Sequence, residues 1–496
     1  MNLLTPARIL DTFTEAYLVG GALRDAVLKR QFRDIDLAVP PARDFRAKTL
    51  RLARALNAAC FPLDEENQVY RMVNRTAPFF QLDIAPFQGR DLAADLRRRD
   101  LTINAMALKL ERSTPLALDR ETGAFTLRPD RKKIIDPCGG LRDAAAGRIK
   151  PCATAAFRED PLRLLRAVRI ASGLNFSITP KILKDIKKQA SLLSQSAPER
   201  VREEIMRLLE SPASHRWLAL LHKAGLLCAV FPELAAQEKC AVVYYGRGGV
   251  LKHTLRVVER LDTFYANLPA YLPEHKQIAK LLPEARTLKL AALLHDVAKP
   301  PKAAMIKGRL RFFGHEECGA AMAETIMERL RFSREDIRLV SKIIGTHLRP
   351  GNLASNDFIS DRAMFRFFRT MGEYTIPLLT LSWADHASYV SPAQLARMRG
   401  RLALPPAPLP PEGLPYNSPK KTLRFIQTLH LLFRVYAKKN PNRNAARLID
   451  GKDVIKTLKI PESPRVGETL ETMRLLQFEG KITSRAGALK ALKGMR

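Results

Sequence analysis

Asp34 and Asp36 are the first side chains in the sequence whose types and spacing could do chemistry. They flank Ile35 at the start of a β-like run that continues to Val39, and side chains two positions apart on a strand project from the same face. Such a pair can jointly hold divalent cations, because two Mg²⁺ ions roughly 4 Å apart would activate an attacking hydroxyl and neutralise charge on a leaving pyrophosphate. We therefore predict phosphoryl transfer, with Asp34 and Asp36 as catalytic residues and magnesium ligands.

A pair of glycines precedes these aspartates and suits phosphate binding. Gly20 and Gly21 follow the β-like run 17–19, where they let the backbone approach a triphosphate closely, and N–H groups at a helix start favour an anion. Arg24 can bind a phosphate oxygen, and Asp25 follows it. A glycine pair alone is usually only a turn, and Asp-x-Asp alone is usually a solvated strand end. Their order along the chain predicts a nucleotide site at Gly20, Gly21, Arg24 and Asp25.

The run Gly-Gly-x-x-Arg-Asp followed by Asp-x-Asp resembles the first motif of the nucleotidyltransferase superfamily. In detail it is similar to the bacterial branch of tRNA nucleotidyltransferases and poly(A) polymerases. The resemblance implies an α+β fold in which a small mixed-sheet head is followed by all-α domains. It also implies Mg²⁺ in the head, CTP and ATP as substrates, and the 3′ end and elbow of tRNA as partner. Lys29 departs from the motif, because many relatives have glycine there.

A second run, 98–107, resembles the family motif that recognises the ribose and so selects ribonucleotides. Asp100 and Asn104 supply the acceptors and donors that such a task needs. The resemblance implies nucleotide binding by Arg98, Arg99, Asp100 and Asn104. The alternative to nucleotide binding is that the run is simply a helix N-terminus with solvent-exposed arginines. The run 136–140 resembles the third family motif, and by itself it would be only a turn.

An acid and two arginines farther along could read the incoming base. The run 157–166 is predicted to begin a helix, with acids and a proline in its first turn, and residues three apart on a helix are neighbours. Asp160 and Arg163 would then present an acceptor beside a fork of donors. Cytosine and adenine each offer an amino donor beside a ring-nitrogen acceptor, whereas uracil and guanine place a carbonyl there. The resemblance implies this template role for Asp160 and Arg163, and we expect Arg166 to contact base or phosphate.

The connection Ala85–Asp91 is shorter than the flexible segment that full CCA-adding enzymes usually have between the sheet and the second motif. Such shortening resembles enzymes that add only CC or only the terminal A. Whether this chain adds CCA, CC or A stays open at this point. Poly(A) polymerase of the same family is the alternative, although its basic, Phe-containing segment does not follow the Asp-x-Asp strand.

Four candidate metal ligands lie in the helical middle of the chain. In chain order they are His253, His295, Asp296 and Asp385. A lone His–Asp pair is more often a buried hydrogen bond, but the order His, His-Asp, Asp resembles the HD phosphohydrolase superfamily. The resemblance implies Mg²⁺ or a divalent transition metal, which imidazole and carboxylate ligands suit, and hydrolysis of a phosphomonoester or a 2′,3′-cyclic phosphate. His315 and His347 could be extra ligands or phosphate contacts.

The length of 496 residues allows several compact domains. Residues 404–419 are rich in proline and cannot sustain a helix, so we predict a linker there. The expected order is a nucleotidyltransferase head (1–150), a helical neck carrying the base-selecting motif (151–245), an HD-type metal-dependent α domain (246–403), the linker (404–419) and a basic helical tail (420–496).

The charge balance points to a nucleic acid partner. Lys and Arg number 83 against 50 Asp and Glu, a formal charge of +33, and such an excess binds polyphosphates by releasing their counterions. No 18-residue apolar run and no leader pattern is evident, so we expect a cytoplasmic protein without membrane contact. Six widely spaced cysteines without a Cys-x-x-Cys pair read as reduced packing residues.

Two further functional classes compete with a tRNA 3′-end nucleotidyltransferase. One is an HD-domain phosphohydrolase or cyclic phosphodiesterase whose head binds nucleotide without catalysis. The other is a non-catalytic RNA-binding protein, which the charge alone would permit. The joint presence of the glycine pair, both aspartates and the base-selecting pair argues against an inactive head.

Overall fold

The chain forms two compact units in the computed structural model. The first runs up to Leu208 and adds Leu220–Val230, and the second comprises Leu209–Ala219 and the residues from Phe231 onward. The structure describes residues 4–75, 79–119, 121–272, 274–410, 418–439 and 448–495. Residues 411–417 of the predicted linker and 440–447 of the predicted tail therefore lie outside the described residues.

A seven-stranded mixed sheet organises the first unit. The strands of this unit are β1 (Tyr17–Val19), β2 (Asp34–Val39), β3 (Ala58–Asp64), β4 (Val69–Asn74), β5 (Gln81–Pro86), β6 (Ala107–Lys109), β7 (Ala117–Leu118), β8 (Phe125–Thr126), β9 (Ile134–Ile135), β10 (Arg148–Ile149) and β11 (Ser177–Ile178). The main sheet has the order β3-β4-β5-β2-β1-β6-β9, in which only β2 and β5 are parallel neighbours. β7 pairs with β8, and β10 pairs with β11.

The two parallel strands at the centre of the sheet alternate between apolar and acidic faces. Ile35 on β2, like Leu82 and Ile84 on β5, is fully buried. Side chains alternate across a strand, so the acids between these residues point to the opposite face. Asp34 and Asp36 therefore lie on the same face of β2, as the sequence predicted.

Helices cover the sheet and continue beyond it in the first unit. They are α1 (Pro6–Leu10), α2 (Gly20–Val27), α3 (Phe45–Ala55), α4 (Leu92–Arg97), α5 (Gly140–Ala145), α6 (Ala156–Glu159), α7 (Arg163–Leu174), α8 (Pro180–Gln189), α9 (Pro198–Leu209), α10 (Ser214–Lys223) and α11 (Leu226–Val230). The last residue of α9 and residues 214–219 of α10 are assigned to the second unit. Lys29, just after α2, has a φ of +59°, in the left-handed region that glycine adopts most easily. This conformation explains why many relatives have glycine at this position.

The third motif is a turn, as expected, and it also starts a helix. Asp136 accepts hydrogen bonds from the N–H groups of Gly140 (2.7 Å) and Leu141 (2.9 Å), which would otherwise lack partners at the start of α5. A Cβ at Gly140 would lie 2.2 Å from the carbonyl oxygen of Thr102, so only glycine permits this close packing against the second motif.

In the part of the second unit that the structure describes, the chain is helical apart from one hairpin, β12 (Ala304–Ile306) and β13 (Arg309–Arg311). Its helices are α12 (Val242–Tyr245), α13 (Gly249–Ala266), α14 (Leu268–Tyr271), α15 (His275–Ile278), α16 (Ala285–Leu294), α17 (His315–Arg329), α18 (Arg334–Ile344), α19 (Arg349–Ala354), α20 (Asp361–Met371), α21 (Thr375–Ala387), α22 (Pro392–Met398), α23 (Pro419–Lys439), α24 (Gly451–Leu458), α25 (Pro464–Phe478) and α26 (Arg485–Lys493). α13 packs on α16 and α21, α23 packs on α21, and α24 packs on α25 and α26. Among the described residues, no helix has both the length and the apolar character needed to span a bilayer.

Candidate functional site

A cavity of about 380 Å³ in the first unit collects residues from all the predicted nucleotide-binding motifs. Its lining includes Gly20, Gly21, Asp36, Arg99, Asp100, Asn104, Asp160, Arg163 and Arg166. Arg98 lines an adjoining cavity of about 620 Å³, to which Arg99 and Arg163 also contribute. Segments up to 146 residues apart in sequence thus face one space, which is large enough for a nucleotide.

Asp36 lies deepest among the predicted catalytic carboxylates. It accepts a hydrogen bond of 3.1 Å from the N–H of Gly21, and Asp34, at the outer end of β2, is exposed. In the parallel register Asp36 lies opposite Asp83 of β5, a third acid on the cavity wall. Arg71 holds Asp83 with two hydrogen bonds of 2.8 Å. Asp83 was not among the site residues predicted from the sequence, although its alternation with the apolar Leu82 and Ile84 was the available signal.

The electrostatics of the three acids favour a bound cation. Although Asp34 is exposed at the end of β2, partial desolvation by the surrounding protein raises its pKa, and the charge of Asp83 raises it further. Burial is likewise the main cause of the raised pKa of Asp36, with Arg99 opposing it and Asp83 adding to it. Neighbouring carboxylates that repel each other ionise more readily beside a cation, and oxygen-only ligands suit Mg²⁺. The residues present therefore fit magnesium.

The glycine turn lies so close to the carboxylate of Asp36 that a side chain at Gly20 would clash with it. Gly20 has φ +66, and a Cβ there would lie 2.5 Å from Oδ2 of Asp36. Gly21, the second residue of α2, does not have a positive φ and directs its N–H at the same carboxylate. The turn therefore fixes the position of Asp36.

A continuous series of polar contacts, here called the polar chain, joins α2 to α7. Arg24 makes a two-pronged pair with Asp25 (3.0 and 2.9 Å) and donates to Oδ1 of Asn104 (2.9 Å). Asn104 donates to Asp100 (3.1 Å), and Arg166 lies 2.7 Å from the other oxygen of Asp100. Although burial opposes it, the charge of Arg166 and the hydrogen bond from Asn104 hold the pKa of Asp100 below its usual range. Arg24 thus contacts the second motif in this structure, and its phosphate contact remains a prediction.

The predicted helix start is interrupted at Asp160. α6 ends at Glu159 and α7 begins at Arg163, and Asp160 between them is extended (φ −141, ψ 99). Proline excludes the helical conformation from the residue before it, so Pro161 explains the break. Asp160 accepts from the N–H of Leu162 (3.1 Å), which leaves its carboxylate at the entrance of the helix.

Asp160 and Arg163 are both held in place on the cavity wall. Arg200, which the sequence analysis missed, donates to Asp160 at 2.9 Å. Arg163 donates to the carbonyl oxygens of Ala156 (3.2 Å) and Arg98 (3.1 Å). Two side chains with fixed orientations can present a defined pattern of acceptor and donors.

The predicted HD ligands converge in the second unit. Nε2 of His253 lies 3.1 Å from Asp385 and 3.5 Å from Asp296, and Nε2 of His295 lies 3.2 Å from Asp296. These two ring nitrogens, Oδ1 of Asp296 and Oδ1 of Asp385 are buried and make no hydrogen bond, whereas Oδ2 of Asp296 is paired with the ammonium group of Lys299 at 2.6 Å. Buried polar atoms without partners are costly, so their convergence fits a divalent cation.

Three family descriptions match successive parts of the chain. Residues 16–150 match "Poly A polymerase head domain", residues 175–238 match "Probable RNA and SrmB- binding site of polymerase A", and residues 250–389 match "HD domain".

Two relatives are similar over nearly the whole chain. The A-adding tRNA nucleotidyltransferase of Deinococcus radiodurans is 29% identical, with 94% of this chain and 92% of the relative covered. The CC-adding tRNA nucleotidyltransferase of Thermus thermophilus is 30% identical, with 96% of this chain and 92% of the relative covered.

Solved structures with the same fold are CCA-adding enzymes. The Thermotoga maritima enzyme complexed with tRNA has a TM-score of 0.58 at 19% identity, covering 99% of this chain and 93% of that chain. The Bacillus stearothermophilus enzyme in complex with CTP has a TM-score of 0.59 at 21% identity, covering 99% and 98%. The predicted α+β architecture, with its mixed-sheet head, is confirmed.

Proposed function

Since the chain belongs to the tRNA nucleotidyltransferase family, we propose that it adds C, A or both to the 3′ end of tRNA from CTP and ATP. The observation that carries this proposal is the single cavity in which Asp36 and Asp83, the glycine turn and the pair Asp160 and Arg163 meet. The names of the full-length relatives support this function over poly(A) polymerase and over an HD hydrolase with an inactive head. We further propose a cytoplasmic location, where tRNA and both nucleotides are available.

In the proposed mechanism, Asp34 and Asp36 hold Mg²⁺, with Asp83 beside them. When bound, magnesium supplies positive charge that activates the tRNA 3′ hydroxyl and stabilises the leaving pyrophosphate. Gly20 and Gly21 leave room for the triphosphate beside Asp36.

The other walls of the cavity would orient the nucleoside. Asp100 and Asn104 face the ribose in this proposal, each already oriented by the polar chain. Asp160 accepts from the amino group of cytosine or adenine while Arg163 donates to the ring nitrogen. Uracil and guanine would set a carbonyl against the carboxylate, which costs binding free energy.

We propose partial addition, either CC or the terminal A. β5 ends at Pro86 and α4 begins at Leu92, so five residues, 87–91, connect them. Short loops have few accessible conformations, and a connection of this length offers little freedom to reshape the cavity between a pyrimidine and a purine. Relatives named for CC addition and for A addition match 96% and 94% of this chain.

We also propose that His253, His295, Asp296 and Asp385 hold a divalent metal ion in the second unit. The unpartnered ligand atoms described above support this assignment. A phosphomonoester or a 2′,3′-cyclic phosphate is the proposed substrate class there.

The experiment for the first unit is base-resolved product analysis on tRNA transcripts ending at N, N-C or N-C-C, with each of the four nucleotides offered singly and Mg²⁺ present. A CC-adding enzyme extends the first two ends with CTP alone, and an A-adding enzyme extends only N-C-C with ATP. Synthesis of complete CCA from N would overturn partial addition while leaving the family function intact. No extension of any end would overturn the function itself.

The proposed catalytic carboxylates are tested with the double variant Asp34→Asn, Asp36→Asn. The matched control is the double variant Asp44→Asn, Glu121→Gln. Both pairs remove two negative charges, but the control acids are exposed on the head outside the cavity lining. The catalytic pair should lose about 10³-fold or more in kcat, because several kcal/mol of transition-state stabilisation disappear with the cation. Equal rates in the two variants would refute the carboxylate mechanism.

A further inference from the structure

The hairpin β12–β13 of the second unit is almost entirely exposed to solvent. Of the six residues in its two strands, five are exposed and Leu310 is half-buried. Met305 on β12 is 69% exposed, and Phe313, two residues after β13, is 72% exposed. Large apolar side chains that lie in water within one short segment, unlike single scattered ones, commonly mark a binding surface.

The charged side chains of this segment are all positive. Residues 297–314 contain no aspartate or glutamate, and four of their cations are exposed, namely Lys302, Lys307, Arg309 and Arg311. Within the residues that the structure describes, none of these four side chains forms an ion pair. The fold therefore does not use these charges, which leaves them free for an anionic partner.

The geometry of the strands places two of the cations side by side. Arg309 and Arg311 are two positions apart on β13, so they project from the same face, about 7 Å apart along the strand. In the register of the hairpin, Ile306 lies opposite Arg309 and Ala304 lies opposite Arg311, so neither guanidinium faces an acid across the strands. Like charges on one face repel each other, and phosphate groups bound to them would relieve that repulsion.

Two successive phenylalanines after β13 have different environments. Phe312 is half-buried, and the ammonium group of Lys299 lies 5.7 Å from its ring centre, whereas Phe313 is exposed. The hairpin itself is held by Tyr244, which donates to the carbonyl oxygen of Leu310 at 2.8 Å. An exposed aromatic ring close to cations in the chain can stack on an unpaired base.

We propose that this hairpin surface, made of Lys302, Met305, Lys307, Arg309, Arg311 and Phe313, binds a single-stranded segment of RNA. The cations contact its phosphates and Phe313 stacks on a base. Every base has a face on which a ring can stack, so binding depends little on base sequence. The residues that line the nucleotide cavity all belong to the first unit, and the proposal stands whether or not that unit adds nucleotides.

The exposed apolar side chains favour single-stranded over double-stranded RNA. Cations alone would bind either form, because both carry phosphates. In a duplex the bases are paired and stacked on one another, so an aromatic side chain does not reach their faces. Phe313 and Met305 therefore gain contacts only where the bases are unpaired.

The first test measures binding of a fluorescein-labelled RNA of about 12 nucleotides to the full chain, by fluorescence anisotropy over a KCl series. Arg309→Ala with Arg311→Ala should weaken binding about tenfold and reduce the slope of log Kd against log salt by about 1.4, because each phosphate contact on a single strand contributes about 0.7. Lys276→Ala with Lys280→Ala removes the same charge from exposed positions elsewhere in the unit and should change neither quantity.

The aromatic contact is tested separately with Phe313→Ala. This variant should bind the single strand about tenfold more weakly with an unchanged salt slope, because stacking releases no counterions. Phe358→Ala removes another exposed ring and should leave the affinity as it is. The duplex of the same RNA with its complement should bind Phe313→Ala and the parent chain equally. Equal losses for duplex and single strand would overturn the assignment to unpaired bases.

A second test locates the bound RNA, because other basic surfaces of the chain also attract polyanions. The same RNA carrying 4-thiouridine is crosslinked to the parent chain with long-wave ultraviolet light, and the crosslinked peptides are identified by mass spectrometry. We expect crosslinks within residues 302–313 that disappear in Arg311→Ala with Phe313→Ala. Crosslinks confined to other segments, or an unchanged affinity in every hairpin variant, would overturn the proposal.

Thermal unfolding checks that the variants fold. The replaced side chains are exposed, and the cations among them form no ion pair in the described structure, so the midpoint should stay within about 2 °C of the parent chain. Vesicles of phosphatidylserine and phosphatidylcholine test an anionic membrane as the partner. Vesicle binding that Phe313→Ala abolishes, with RNA affinity unchanged, would assign the surface to lipid and overturn the proposal.

Discussion

Gly20 and Gly21 show how little space separates the backbone from the carboxylate of Asp36, which we propose to be catalytic. A Cβ at Gly20 would meet Oδ2 of Asp36 at 2.5 Å, whereas a Cβ at Gly21 would have its nearest neighbour, a guanidinium nitrogen of Arg24, at 3.5 Å. The second distance is an ordinary contact. Only Gly20 has a positive φ, which adds backbone strain to any replacement.

We therefore predict that Gly20→Ala lowers kcat for nucleotide addition by about 100-fold, because displacing Asp36 by about 1 Å misplaces the cation it holds. Gly21→Ala keeps the N–H that donates to Asp36 and should stay within about threefold of the parent chain. Single-turnover extension of tRNA with saturating nucleotide measures both. A Gly21→Ala variant as impaired as Gly20→Ala would contradict this account.

At the residue scale, the sequence predicted what local periodicity determines. Asp34 and Asp36 share a face because a strand alternates, and no knowledge of the neighbouring strand was required. Asp83 escaped notice because its proximity depends on the parallel pairing of β2 with β5, and strand order is a property of the whole sheet. Arg200 was missed for the same reason, since it lies 40 residues from its partner Asp160.

At the scale of elements, α6 and α7 form two helices where one was expected. Pro161 was taken as a helix-starting residue, yet its constraint on Asp160 breaks the helix and turns the carboxylate into the cavity. The hairpin β12–β13 was also missed within a region expected to be all helical. Lys307 and Gly308 connect its strands with φ of 49° and 70°, and a two-residue loop of this type was the available signal.

The arrangement of α6 and α7 leads to a prediction about base choice. Arg163→Ala should raise the relative kcat/KM for UTP over CTP by about 10- to 200-fold, because the donor fork that matches cytosine is lost. Arg158→Ala removes the same charge from an exposed position on α6 that does not line the cavity, and it should leave the ratio unchanged.

Competition between CTP and UTP on one tRNA measures this ratio directly. The ratio is insensitive to a general loss of activity, so a merely structural role for Arg163 would lower both rates together. An unchanged ratio in Arg163→Ala would remove this residue from base selection.

At the scale of the whole molecule, the formal charge of +33 sets how tRNA associates. Binding that neutralises several phosphates weakens linearly in the logarithm of salt concentration. The family assignment and the charge agree in this respect, and composition alone was sufficient to predict a polyanionic partner.

We predict that KM for tRNA rises steeply with salt, by roughly 10³-fold between 50 and 200 mM if about six phosphates are contacted. KM for CTP should change far less, since in the proposed function its triphosphate binds inside the cavity of the first unit, where salt screens charges less than on the surface. Initial rates over a KCl series measure both constants. Parallel slopes for tRNA and CTP would contradict extended contact with the tRNA backbone.

The polar chain from Asp25 to Arg166 fixes the distance between the two ends of the cavity. It joins α2, whose glycine turn is proposed to bind the triphosphate, to the start of α7, which is proposed to read the base, and each residue in it is bonded to the next. A nucleotide bound as proposed would therefore be selected by its length as well as by the hydrogen-bonding groups of its base. We therefore expect an analogue that carries the correct base on a lengthened sugar linkage to bind poorly, even though its base could still pair with Asp160 and Arg163.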